Sequence, residues 1–171
     1  MNKEKAFLIF KYFILFIYIF CSCFIIYESC MKGPDSQEQS SAVTNIIISV
    51  IETVTNKKQE VHDFDSLVGF IRKFIGHFGA FLFLGVFSSL TYLLFLNKTK
   101  KIYYIGIIIN AFQALFLAIL TESIQLIVPG RAGSIKDVLL DYSGFLVSFF
   151  LISSISLLIR YKKRMVPFFE N

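Results

Sequence analysis

The stretch ESIQLIVPGRAGSIKDVLLDYSG, residues 122–144, places Glu122, Gln125, Arg131, Lys136, Asp137 and Asp141 between two strongly apolar runs. His77, with Lys73 one helical turn before it, opens another such run. Carboxylates and an imidazole can take and give protons, so His77, Glu122, Asp137 and Asp141 are the candidate acids and bases. A guanidinium offers planar, paired donors that fit phosphate or carboxylate, so Arg131, helped by Lys73, Arg72 or Lys136, suits an anionic ligand. Each residue also has a structural role open to it. Ser134 followed three positions later by Asp137 resembles a capping box, and Arg131 has Glu122, Asp137 and Asp141 to pair with.

The elements that must position these groups are legible from hydrophobicity. The 171-residue chain is 56% hydrophobic, with 21 Phe and no Trp, too apolar for a soluble domain of this length to bury. Four runs, 6–27, 77–96, 102–128 and 135–159, are each about 20 residues or more, enough to cross a ~30 Å hydrocarbon core as helices. The expectation is an all-α membrane protein with four transmembrane helices, forming one membrane domain over 1–171. Lys3, Lys5 and Lys11 flank the first run, Lys98, Lys100 and Lys101 join the second to the third, and Arg160, Lys162, Lys163 and Arg164 follow the fourth. With four spans these clusters share one side, which the positive-inside rule makes the cytoplasm, so both termini are expected there. The +5 net charge is thus a topology signal, with some attraction to anionic lipid; no groove-reading motif points to nucleic acid.

The extracytoplasmic loop, 28–72, collects Glu28, Asp35, Glu38, Glu52, Glu60, Asp63 and Asp65. Its first part, MKGPDSQEQSSAV, reads as turn-rich and mobile. TNIIISVIETVTN follows, with Ile47, Val50, Ile51 and Val54 at helical spacing, and predicts a short amphipathic helix, with Asn45 as its candidate cap, either lying on the outer membrane surface or packing on the bundle. Asp65 or Ser66 is expected to cap the helix that enters the membrane near His77, while Gly76, Gly79 and Gly85 would let neighbouring helices approach. Cys21, Cys23 and Cys30 show no metal-ligand spacing, and His62 beside Asp63 and Asp65 is too loose a set to name one. No metal or cofactor is expected.

Helical rise sets the depth of the charged groups. Glu122 falls about 30 Å along a helix starting near Ile102, so it approaches the external edge. Asp137, in the first turn of the returning helix, Asp141 one turn deeper, and His77 lie at the same level, where a charge costs less than at mid-bilayer. At 100° per residue, Asp137, Asp141, Gly144 and Ser148 fall within about 60° of one another, and Glu122 lies about 60° from Gln125. Asn110 and Thr121 extend that sector. Such faces are expected to point at each other across a polar cleft. Pro129 and Gly130 should end the third helix.

Glu122, Gln125, the turn Pro129-Gly130-Arg131, Asp137 and Gly144, together with the His-Phe element His77-Phe78, resemble the signature of the VanZ-like family over roughly residues 60–155. Two positions depart from the pattern, with Asp141 where Asn is common and Phe81 where Tyr is frequent. The resemblance implies a multi-spanning cell-membrane protein of Gram-positive type, in a family whose named member is an accessory factor in teicoplanin resistance. It supplies a phenotype more readily than a reaction.

The first functional reading is a non-enzymatic protein whose outer-leaflet cleft engages a lipid-linked cell-wall precursor or anionic lipid, or a partner membrane protein. Glu122, Gln125, Asp137, Asp141, His77, Arg131 and Lys73 would line that cleft. The alternative is an interfacial enzyme acting on a lipid-linked substrate, although no nucleophile elbow, metal motif or phosphate loop is present. A transporter fits less well, because transporters bind near the midplane.

Overall fold

The computed structural model describes residues 2–58, 63–96 and 99–169, with the side chains of 100 and 160–169 left aside. His62, Glu60, Lys98 and the side chains of Lys100, Arg160, Lys162, Lys163 and Arg164 lie outside the described residues. The described residues are almost entirely helical: α1 (Lys3–Ser29), α2 (Gly33–Thr55), α3 (Phe64–Ile71), a π-helical segment (Arg72–Gly79), α4 (Ala80–Leu96), α5 (Lys100–Gln125) and α6 (Ile135–Phe169). Four stretches, Lys3–Ser29, Phe64–Leu96, Lys101–Gln125 and Ile135–Ile159, are long and apolar enough to cross a membrane, so the chain is a multi-pass membrane protein. Its outward surface agrees: Phe16, Phe112 and Phe116 are each about two-thirds exposed, as lipid-facing rings must be.

Three of the helices, α1, α3 and α5, start at a side chain that accepts an N-terminal backbone N–H. The Asn2 side chain accepts from Glu4 N, and the Thr99 hydroxyl accepts from Ile102 N. Asp63, rather than Asp65 or Ser66, caps α3, its Oδ1 accepting from Ser66 N at 3.0 Å. α3 runs through the π segment into α4 without a break, so the second span begins well before residue 77. The third ends at Gln125, three residues before the expected limit, with Pro129 and Gly130 (φ +75°) forming the turn beyond it.

The largest departure from the sequence expectation is α2. The segment read as a mobile, turn-rich stretch is the first half of a 23-residue helix, and Asn45 lies in its interior rather than at its start. Pro34 sits in the first turn, where its missing N–H costs nothing. The hydroxyls of Ser40, Ser41 and Thr44 donate to the carbonyls of Ser36, Gln37 and Ser40 at 2.8–2.9 Å, so polar residues that favour turns are satisfied inside the helix. The helix stops at Asn56, which takes the left-handed conformation (φ 52°). Val50 and Val54 stay exposed, so the apolar stripe of its far half does not pack on the bundle.

α4 and α6 form the most extensive helix pair, with α1 against α4 and α5 against α6 around a core of Phe81, Leu84, Ala118 and Phe145. Glycines set the spacing of the central pair. A Cβ on Gly144 would lie 2.2 Å from the Phe78 carbonyl oxygen, and one on Gly85 would lie 2.1 Å from Ser148 Oγ. Gly76 and Gly79 are different: the nearest atoms to a Cβ there belong to the π segment itself, so neither brings two helices together.

Candidate functional site

The stripe Asp137–Asp141–Gly144–Ser148 lies against the π segment and the start of α4, each member meeting a partner there. Asp137 Oδ1 is 3.8 Å from Lys73 Nζ, and Asp141 Oδ1 is 3.1 Å from His77 Nδ1. Gly144 packs on Phe78 and Ser148 on Gly85. From α5, Glu122 Oε1 comes within 3.5 Å of the same His77 Nδ1. Thus three helical elements bring one imidazole and two carboxylates together, with side-chain exposures of 13% (His77), 4% (Glu122) and 2% (Asp141).

Glu122 is held from behind. Gln125 Nε2 donates to Oε1 at 2.9 Å, and the Ser134 backbone N–H donates to Oε2 at 2.9 Å. The Ser134–Asp137 capping box is therefore not reciprocal. Glu122, from the neighbouring helix, supplies the carboxylate at Ser134, while Asp137 turns to Lys73. Gly133 permits this: a Cβ there would lie 2.2 Å from the Glu122 carbonyl oxygen.

His77, Asp141, Gln125 and Arg131 line a cavity of about 540 Å³. Glu122 lies directly behind His77, and Lys73 and Asp137 form a separate pair, with the Lys73 side chain 56% exposed. The cavity is amphipathic. Phe24, Ile25, Val43, Ile71, Ile75 and Phe81 make its apolar walls, and Arg72, Arg131 and Glu28 join His77 and Asp141 at the polar part. Neither guanidinium has a carboxylate within 4.0 Å among the described residues, so Arg131 takes none of the three partners offered by the sequence. Both Glu122 oxygens are already engaged, which explains part of this. Among the described residues Arg72 reaches only Gln37 Oε1, at 3.5 Å. Burial pushes the Arg131 pKa below its ordinary value, and the nearby Arg72 charge adds to that, against the pull of Glu122 and Glu28.

One wall went unread in the sequence. Ser36, Ser40 and Val43 of α2 face the cavity at spacings of four and three residues, the periodicity of a helix face. α2 is docked through its first residue. Gly33 N donates to Pro129 O at 3.0 Å, and a Cβ on Gly33 would lie 2.0 Å from Gly130 O. The Pro-Gly-Arg turn thus follows α5, anchors α2 and presents Arg131. The π segment was unread as well. Such segments are rare and concentrate at functional sites, and this one carries Arg72, Lys73 and His77.

The family model described as VanZ/LLP1 matches residues 12–159, which takes in every residue of the site. No curated protein and no solved structure matches the chain.

Proposed function

The chain belongs to the VanZ/LLP1 family, and from that premise we propose that its cavity takes the phosphate-bearing headgroup of an anionic membrane lipid or lipid-linked cell-wall precursor, and thereby modulates the cell envelope, including its susceptibility to glycopeptides such as teicoplanin. The observation that carries this reading is the pair of guanidiniums, Arg72 and Arg131, on a cavity of about 540 Å³ without a carboxylate partner among the described residues. A half-buried cation without a counter-ion is best offset by an anionic ligand, and guanidinium fits phosphate oxygens through paired donors. The volume is in the range of small-molecule sites, roughly 300–1,000 Å³. The apolar wall of Phe24, Ile71 and Ile75 suits the acyl or prenyl chain that follows the headgroup. In this reading the cavity opens on the external leaflet of the plasma membrane, because the basic clusters at Lys3–Lys11 and Lys98–Lys101 belong to the opposite ends of the spans.

Native mass spectrometry of the detergent-extracted protein tests the proposal. The wild type is expected to carry a co-purified phospholipid or polyprenyl phosphate that Arg131→Ala loses, with affinity down about 10–100-fold, the worth of a charge-assisted hydrogen bond or two. Equal lipid occupancy in both proteins would contradict it.

A second reading draws on the His77–Asp141 contact of 3.1 Å. An imidazole oriented by a carboxylate is a general acid–base arrangement, and an interfacial enzyme acting on a lipid-linked substrate would use it. Turnover that disappears in Glu122→Gln while folding is preserved would favour this reading. A purified protein that leaves lipid-linked and phospholipid substrates unaltered would count against it.

A further inference from the structure

The imidazole and carboxylates of His77, Glu122 and Asp141 lie closer together than a headgroup site requires, and their donor chemistry is that of a metal centre. One ligand atom from each lies within 4.8 Å of the other two. Metal–nitrogen and metal–oxygen bonds of about 2.0–2.2 Å set ligand–ligand edges of roughly 2.8 Å in an octahedron to roughly 3.6 Å in a tetrahedron. The separations from His77 Nδ1 to Asp141 Oδ1 and Glu122 Oε1, 3.1 and 3.5 Å, fall within that span.

Charge and hydrogen bonding point the same way. With a neutral imidazole the trio carries two negative charges on side chains 98% and 96% buried, which a divalent cation would balance. Glu122 has Gln125 and the Ser134 N–H to orient it, as a metal-bound carboxylate usually does. Asp141, by contrast, has His77 as its sole hydrogen-bond partner among the described residues, and it faces the cavity. Its second oxygen accepts no hydrogen bond among the described residues and is free to take a further ligand.

We infer that His77, Glu122 and Asp141 form a binding site for a divalent first-row transition-metal ion, with further coordination positions open to the cavity. One nitrogen and two carboxylate ligands suit zinc or manganese, and three protein ligands leave room for an exogenous oxygen. A phosphate oxygen of the ligand would occupy that position. This last clause rests on the headgroup reading above, whereas the metal site itself does not. Spacing along the chain gives no sign of the site, because its ligands come from three different helical elements, at positions 77, 122 and 141.

The test uses the full chain in detergent, stripped with chelator and then titrated separately with Zn²⁺ and Mn²⁺, with bound metal counted by mass spectrometry after desalting. The wild type is expected to bind close to one ion per chain, about as a structural or catalytic site does. Arg131→Ala and Lys73→Ala should bind the same amount. Glu122→Gln and Asp141→Asn, each checked for helix content, should bind at least about tenfold more weakly, and Gln125→Ala about 10–100-fold, because it frees the orienting contact. X-ray absorption of the zinc-loaded wild type should show one imidazole nitrogen with oxygen ligands. It decides the matter even if the carboxylate variants fail to fold. Wild-type occupancy below about a tenth of an ion per chain, a sulfur-containing or oxygen-only shell, or folded carboxylate variants that bind like the wild type would each overturn the inference. Metal retained by Arg131→Ala while its lipid is lost separates the two sites experimentally. Metal retained by a wild type that carries no lipid would defeat the headgroup reading alone.

Discussion

Asn110 and Asp141 are both polar residues almost fully buried in apolar helices, at 2% and 1% exposure, yet their surroundings differ. Asn110 Nδ2 donates to Ser89 Oγ at 3.2 Å, and the space beside the pair is about 10 Å³, at or below what one water needs. Gln113 likewise links Tyr92 and Tyr18, accepting from one ring hydroxyl and donating to the other, and so ties α5 to α4 and α1. These groups are neutral and matched, and the Asn110–Ser89 pair leaves no appreciable space. Asp141 is an acid facing an imidazole, a second acid and a cavity of about 540 Å³. Burial of a polar group is therefore a poor guide to function in this bundle. What separates a site from an interhelical fastening is charge that the protein leaves partly uncompensated, next to space for a ligand to compensate it.

The comparison can be broken most forcefully at Gly144. In Gly144→Val the new side chain would strike the Phe78 carbonyl and force α6 away from the π segment, parting Asp141 from His77. Overpacking of this kind costs about 1–3 kcal/mol, so thermal denaturation in detergent should show a clear loss of stability together with lost lipid binding. An intact, lipid-binding Gly144→Val protein would mean that the close approach is not what assembles the site.

Gly33→Ala is a milder intervention on the same side of the comparison. Its Cβ would push α2 off the Pro129–Gly130 turn, while the contacts among α1, α4, α5 and α6 stay untouched. Lipid affinity should fall several-fold, with stability reduced by about 1 kcal/mol. A larger loss of stability than of affinity would make α2 a structural brace rather than a wall of the site.

Asn110→Ala should have the smallest effect. An interhelical hydrogen bond in a membrane protein contributes about 0.6 kcal/mol on average, so melting should shift slightly and lipid or metal binding should not change. A marked loss of binding in this variant would join the two polar regions into one functional network and dissolve the distinction between them.

The spans and the site's main residues were legible in sequence for a shared reason: both depend on strict helical periodicity. Runs of about 20 apolar residues mark the spans, and the 100° step gathers Asp137, Asp141, Gly144 and Ser148 on one face. The features that escaped obey other rules. α2 was hidden because Gly, Pro and Ser favour turns in isolation, while here Pro34 occupies a first turn and serine hydroxyls bond back along the helix. The π segment was hidden because its hydrogen-bond pattern leaves no compositional trace. The Glu122–Ser134 contact was hidden because a cap can be supplied from another helix as readily as from the residue three positions on.

The most direct test of the account places a lipid in the cavity. A phosphatidylglycerol carrying a photoreactive group near its headgroup would be incorporated into nanodiscs with the full chain, irradiated, and its adducts mapped by peptide mass spectrometry. The account predicts adducts on cavity-lining residues of α1, α2 and the π segment, such as Phe24, Val43 and Ile75, that disappear in Arg131→Ala. Adducts confined to outward-facing positions such as Phe112 and Phe116, unchanged by that substitution, would contradict it.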